Sequence, residues 1–229
     1  MRLEQILFTQ GFGTRHECRG LIVNGHVTIN QTVVEDPQSD FDVNGLVFSV
    51  DGVNWPYVEK AIIAMNKPTG YECSRKPLHH PSVLSLLPAP LRNRGVQPVG
   101  RLDEDTTGLL ILTDDGALIH RLTHPKKHVS KIYRVTAKHA MTQEMFERLL
   151  EGVMLDGERE KVAADDLVQI DDYVFEMQIT QGKYHQVKRM VAAVGNRVSA
   201  LHRVALGNYH LPDDLTASKW RFIRREELI

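Results

Sequence analysis

The segment Thr106-Thr107-Gly108-Leu109-Leu110-Ile111-Leu112-Thr113-Asp114-Asp115-Gly116 constrains this chain more than any other. Its apolar run reads as a buried strand, and Asp114-Asp115-Gly116 reads as the turn that ends it. Arg101, Asp103, Glu104 and Asp105 crowd the mouth of that strand. Charges beside a buried strand are costly unless they are paired or put to use.

Around this strand, helical and strand patterns mix without strict βαβ alternation. Leu3, Ile6 and Leu7 recur at helical spacing before Gly11 and Gly13. Thr14 is placed to cap a second helix that stops at Asn24-Gly25. Residues 26–34 alternate like a strand, and residues 51–60 resemble a loop between units. A second unit then opens with strand-like residues 61–68. Residues 74–98 read as a loop carrying one short helix.

Beyond the central strand, residues 116–124 form a helical pattern with Leu118, Ile119 and Leu122 on one side, and residues 130–137 are β-prone. In residues 142–153, Met145 pairs with Leu149 and Phe146 with Leu150 as a helical stripe. Tyr173, Phe175, Met177 and Ile179 share one strand face. Val187, Met190, Val191 and Val194 mark the inward side of a helix stopped by Gly195. The expectation is an α+β fold: a mixed, largely antiparallel central sheet with flanking helices in residues 59–229, preceded by a small α/β unit in residues 1–58.

The net charge of -1 hides an asymmetry. Residues 1–58 carry three Lys/Arg against seven acids. Residues 117–143 and 177–212 contain no acid at all, which suggests a surface for a polyanion. No apolar stretch reaches membrane-spanning length, and the N-terminus lacks a secretory pattern. Cys18 and Cys73 read as free buried thiols of a cytoplasmic protein.

Three side chains stand out chemically. Asp103 sits in a Gly-flanked loop that can present one carboxylate on a rigid strand edge, as nucleophile or base, where a cation holds it ionised. By residue type alone it is a turn carboxylate. Tyr133 is either a core aromatic or a platform on which a base stacks. Lys188 lies about 100° round its helix from Val187, on the flank of the buried side, where it is a surface lysine or a counter-ion. A metal reading of His120, His124 and His128 fails because Pro125 breaks the helix through them. A glycosidase reading of Asp103 and Asp105 is weak, since two residues of extended chain hold Cα atoms only about 6.5–7 Å apart. There is no phosphate-binding or dinucleotide glycine motif.

Together these residues resemble the RsuA-type pseudouridine synthases. Residues 100–116, GRLDEDTTGLLILTDDG, are similar to that family's catalytic motif, which implies that Asp103 is its essential aspartate. KIYRV implies that Tyr133 is the active-site tyrosine. Residues 182–211 match a third motif, in which Lys188 falls where relatives carry the basic partner of the aspartate. MNKPTGYECS followed by HHPSVLSLLP is closer to the RsuA branch than to the large-subunit branches. Residues 2–30 are similar to the RNA-binding domain shared with ribosomal protein S four, with Asn30-Gln31 where an Asn-Gly turn is usual.

The resemblance implies isomerisation of a uridine to pseudouridine in 16S ribosomal RNA, without metal or cofactor. The alternatives are a synthase acting on large-subunit RNA or tRNA, and a non-catalytic RNA-binding protein. The expected partner is ribosomal RNA, with or without bound ribosomal proteins, and no membrane; the expected state is a monomer. RNA contacts are expected from Arg2, Arg15, His16 and Arg19 in the acidic N-terminal unit. In the larger unit they are expected from Arg101, Lys126, Lys127, Lys131, Lys183, His185, Arg189 and Arg203.

Overall fold

A computed structural model describes all residues, 1–229, and the chain divides into two compact units. The first comprises Met1–Ala61 and Leu87–Gln97. It begins with α1 (Leu3–Thr9), whose Leu3, Ile6 and Leu7 are buried on one side. In α2 (Arg15–Val23), Thr14 and Glu17 form a reciprocal cap: Glu17 N–H donates to Thr14 Oγ1 at 3.3 Å, and Thr14 N–H donates to Glu17 Oε2 at 2.6 Å.

Four strands follow: β1 (Val27–Ile29), β2 (Thr32–Val33), β3 (Val47–Val50) and β4 (Val53–Pro56), in sheet order β2-β1-β3-β4. All pairs are antiparallel. The apolar sides of helices and sheet meet at Ile6, Cys18, Ile22, Val27 and Phe48. Two expectations change here. Residues 26–34 are a hairpin and not one strand, because Asn30 and Gln31 both take positive φ, 50° and 65°. That is the turn geometry whose twist matches paired strands. Residues 51–60 are only partly a loop: Asp51-Gly52, at φ 51° and 78°, turns the chain into β4. α3 (Ala89–Asn93) also belongs to this unit. Asn93 Nδ2 donates to Gly11 O at 2.9 Å, and Arg94 donates to Gln10 Oε1 and Val58 O at 2.7 and 3.0 Å.

The second unit comprises Ile62–Leu86 and Pro98–Ile229. In chain order come β5 (Ile62–Lys67), β6 (Gln97–Pro98), β7 (Thr107–Thr113), α4 (Gly116–Thr123), β8 (Lys131–Ala137) and α5 (Gln143–Glu151). After them come β9 (Asp166–Gln169), β10 (Val174–Ile179), α6 (Gln186–Ala193), β11 (Val198–Leu206), β12 (Tyr209–His210), β13 (Trp220–Phe222) and α7 (Arg225–Leu228). The sheet order is β13-β5-β7-β11-β8-β10-β9. Only β7 and β11 run parallel along this path, so the sheet is mixed and largely antiparallel.

β7 is the apolar run of the sequence, and Leu109 to Leu112 are without exposure. Asp115 ends it and caps α4, accepting from Ala117 and Leu118 N–H at 2.9 and 3.1 Å. Leu118 and Leu122 of α4 then pack over Leu109 and Ile111.

Some finer expectations are corrected. Residues 74–98 hold two short helices, a 3-10 turn at Val83–Leu86 and α3. In α5 the buried pair is Phe146 and Leu149, while Leu150 faces solvent. Tyr173 precedes β10 and is half-exposed, leaving Phe175, Met177 and Ile179 as the inward side. Cys18 is buried, but Cys73 is partly exposed. No helix is long and apolar enough to cross a membrane.

Candidate active site

The residues before β7 are held from beneath by a lysine that sequence reading left without a role. Lys67 ends β5 and is fully buried. Its Nζ donates to the carbonyl oxygens of Pro68, Asp103, Glu104 and Thr106 at 3.0, 3.1, 3.2 and 2.9 Å. Burial pushes this ammonium's pKa down, opposed by Cys73, Glu104, Asp105 and Asp103 nearby. The signal available in the sequence was one cation closing an apolar strand immediately before a proline. Thr106 N–H donates back to Asp103 O at 3.1 Å and closes the turn. Gly108 follows at φ +99°, where a Cβ would collide with the Arg203 backbone on β11. The glycine lets two parallel strands approach, which fixes where the turn stands over the sheet.

That turn presents Asp103 to α6. Lys188 Nζ lies 2.9 Å from Asp103 Oδ2 and 2.7 Å from Asp105 Oδ1. The residues at 103 and 188 are thus brought together. Burial alone would lower the Lys188 pKa, but the hydrogen bonds it donates to Asp105 and Asp103, with their charges, outweigh it and the net shift is upward. For Asp105, burial raises the pKa and the Lys188 hydrogen bond and charge more than reverse it.

His185 was expected to touch RNA, yet its Nε2 lies 3.2 Å from Asp103 Oδ1. It reaches there from a left-handed backbone, φ 47°, at the start of α6. Its ring stacks on that of Tyr184, with centroids 3.8 Å apart. Tyr133 is nearly buried on β8, in register with Arg203 of β11.

Asp103, Tyr133 and Lys188 line one cleft of about 390 Å³. Arg101, Lys131, Lys183, His185 and Arg203 line it as well. The remaining expected contact residues are distributed differently. Lys126 and Lys127 are exposed on a 3-10 turn and do not line the cleft. Lys183 is paired with Glu158 at 2.5 Å, and Arg189 donates to Asp156 O and approaches Glu158 at 3.9 Å. The acid-free tract at 177–212 is therefore partly neutralised by residues far from it in sequence. Arg203 is 2% exposed and lines the cleft, away from the outer surface. In the first unit, Arg19 pairs with Glu4 at 2.8 Å and the Arg15 guanidinium sits 4.5 Å from the Phe8 ring centre, while Arg2 and His16 are exposed.

A carboxylate between an ammonium and an imidazole, at a cleft with a tyrosine in its wall, is an arrangement suited to acid-base or nucleophilic chemistry. The particular class follows from known proteins. The family described as RNA pseudouridylate synthase matches residues 61–193, and the S4 domain matches residues 1–47. The chain belongs to the RNA pseudouridylate synthase family, in the branch of the RsuA type.

Two relatives are similar along the entire chain, and both are called ribosomal small subunit pseudouridine synthase A. That of Yersinia pestis is 38% identical, covering 100% of this chain and 97% of its own. That of Pasteurella multocida is 34% identical, covering 100% and 98%. A crystal structure of a pseudouridylate synthase superposes with a TM-score of 0.70 at 33% identity, covering 99% of this chain and 97% of the other. The fold is thus the pseudouridine synthase fold with an N-terminal S4 domain, as the motifs implied.

Proposed function

We propose that this enzyme converts one uridine of the small-subunit, 16S ribosomal RNA to pseudouridine, with Asp103 as the catalytic carboxylate. The observation that carries the reading is Asp103 held by Lys188 at 2.9 Å and His185 at 3.2 Å at the edge of the cleft. The small-subunit target is supported by full-length similarity to two enzymes that bear it in their names.

The reaction breaks the bond from ribose C1′ to uracil N1 and rejoins the base through C5. Asp103 serves it by attacking C1′ or by removing a ribose proton; its paired, oriented carboxylate suits both. Lys188 is the positioning cation, and Tyr133 forms a wall against which the detached base stacks. A uridine within folded RNA must first be flipped out, at a cost of a few kcal/mol. Arg101, exposed at the cleft, fills the vacated space or grips a phosphate. The S4 domain and the exposed Lys126 and Lys127 add salt-sensitive phosphate contacts. A ribosomal RNA substrate is in keeping with a cytoplasmic protein.

The test is to map pseudouridines in RNA from cells lacking the protein, then restore wild type or Asp103→Asn. One small-subunit pseudouridine is expected to vanish and to return with wild type alone, the variant binding RNA within about a few-fold of wild type. Loss only in large-subunit RNA or tRNA, or no loss, overturns the target. Full restoration by Asp103→Asn overturns the role of the carboxylate.

A further inference from the structure

Two buried side-chain polar atoms have no hydrogen-bond partner anywhere in the protein, Thr106 Oγ1 and Arg203 Nη2. Both residues are 2% exposed, and both line the same cleft. Buried polar groups in folded proteins are nearly always satisfied, so two orphans beside one cavity mark what the cavity receives.

Arg203 is the more telling. It enters from β11, and its Nε donates to Leu109 O at 2.7 Å. No carboxylate pairs with it, although burying an unpaired cation costs several kcal/mol. A second cation, Lys131, lines the same cleft and is close enough to feel its charge. Lys131 of β8 donates to Val129 O and Thr180 O at 2.8 and 3.1 Å, and burial with Arg203 alongside holds its pKa down to about 8. Asp103, which lines the cleft, is engaged by Lys188 and His185, and Asp105 outside it by Lys188. Two cations therefore meet at this part of the cleft; Asp165 acts in part against the charge of Lys131, and no carboxylate pairs with Arg203.

We propose that Arg203 is a catalytic residue that stabilises the detached uracil as an anion. The proposal rests on the pseudouridylation reading and supplies a partner for the leaving base. When C1′–N1 breaks, its electron pair leaves on N1 and spreads over the two uracil carbonyl oxygens. This is true whether Asp103 has bonded to C1′ or has taken a ribose proton, so the need for a cation is common to both routes. The base then turns, C5 bonds to C1′ as the carboxylate departs or returns its proton, and the C5 hydrogen is lost while N1 gains one. No oxidant or outside reactant enters. A guanidinium fixed in place before the charge develops lowers the barrier without moving. Thr106 offers its unpaired hydroxyl to one carbonyl of the base.

The experiment compares wild type, Arg203→Met, Arg203→Lys and Arg203→Ala on the RNA substrate, measuring single-turnover rate and RNA affinity separately. Loss of one such electrostatic contact typically costs about 10²–10³-fold in rate. The expected result for Met and Ala is a loss of that order with affinity within about two-fold of wild type, and partial recovery of Ala by added guanidinium. Where the apolar variants do not fold, as read by circular dichroism, Arg203→Lys decides: it should fold and run about ten-fold slower at unchanged affinity. A wild-type rate in Lys and in any folded Met or Ala variant overturns the proposal. So does weakened affinity with a shallower salt dependence and intact rate, which is the behaviour of a phosphate contact. If wild type itself converts no uridine, the pseudouridylation reading fails first and the assignment of Arg203 falls with it.

Discussion

Replacing Lys67 with methionine keeps the apolar stem and deletes the ammonium. Four carbonyl oxygens lose a donor, but not equally. Asp103 O still accepts from Thr106 N–H at 3.1 Å, and Glu104 O from Gly70 N–H at 2.8 Å. Pro68 O and Thr106 O lose the donor they have. Each buried acceptor left unmade costs about 1–3 kcal/mol, so two cost about 4 kcal/mol. Removing the desolvation penalty of the buried charge returns part of this, which leaves an expected loss of about 2–4 kcal/mol. Trp55 lies in the first unit and Trp220 on β13, where it pairs with Met65 of β5. In a Trp55→Phe background, urea unfolding followed by Trp220 fluorescence reports the unit that holds Lys67. Isomerisation should fall more than about ten-fold even where the variant is folded, because the turn carrying Asp103 loses its anchor. A loss under about 0.5 kcal/mol with full activity would refute the clamp and the assignment of strength to those four contacts.

Three further outcomes are expected. Lys188→Met should slow single-turnover isomerisation about 10²-fold, since misplacing a reacting group by an ångström costs that much. The upward shift of Lys188 keeps the ammonium charged through its ordinary titration range. Loss of that charge should therefore slow wild type only above the ordinary lysine range, and an unchanged rate and pH profile in the variant removes Lys188 from the site. Gly108→Ala should cost about 3 kcal/mol in the same unfolding assay, combining a positive φ with collision against the Arg203 backbone. A stable variant would show that β7 and β11 can part at no cost. Glu72 accepts the N–H groups of Leu78, His79 and His80, and these hold its pKa at about 2. Its folded pKa is depressed, so its contribution is complete above its unfolded value near 4.5 and fades as pH falls towards 2. Amide exchange at residues 78–80 should quicken in Glu72→Gln at neutral pH; unaltered exchange would dismiss the pin.

Local chemistry was the legible part of this chain. The β7 run, the Thr14 cap and the inward side of α6 follow from spacing alone, because each is decided by neighbours within about one turn or one strand. The approach of Lys188 to Asp103 was readable only through whole motifs, since 85 residues separate them. What stayed hidden depends on distant backbone. Nothing in residues 60–70 says that Lys67 will meet three carbonyls more than 35 residues away. Nor does an acid-free tract announce Glu158 as the partner of Lys183. Leu150 and Tyr173 fit their periodicities and still face solvent, because the register of a stripe does not say where the covering layer ends. The Asn30-Gln31 turn was marked only by the family resemblance, because without a glycine there the periodicity of residues 26–34 reads as continuous alternation.

The inclusion of residues 87–97 in the first unit has a consequence for how the protein can be divided. The polypeptide passes between units at three places and not one. A fragment starting at residue 59 would carry α3 away from Gln10, Gly11 and Val58, the groups that Asn93 and Arg94 bind. Single-point shuffling of coding sequence therefore cannot graft this RNA-binding module onto another enzyme, or retire it, without leaving one orphaned helix behind.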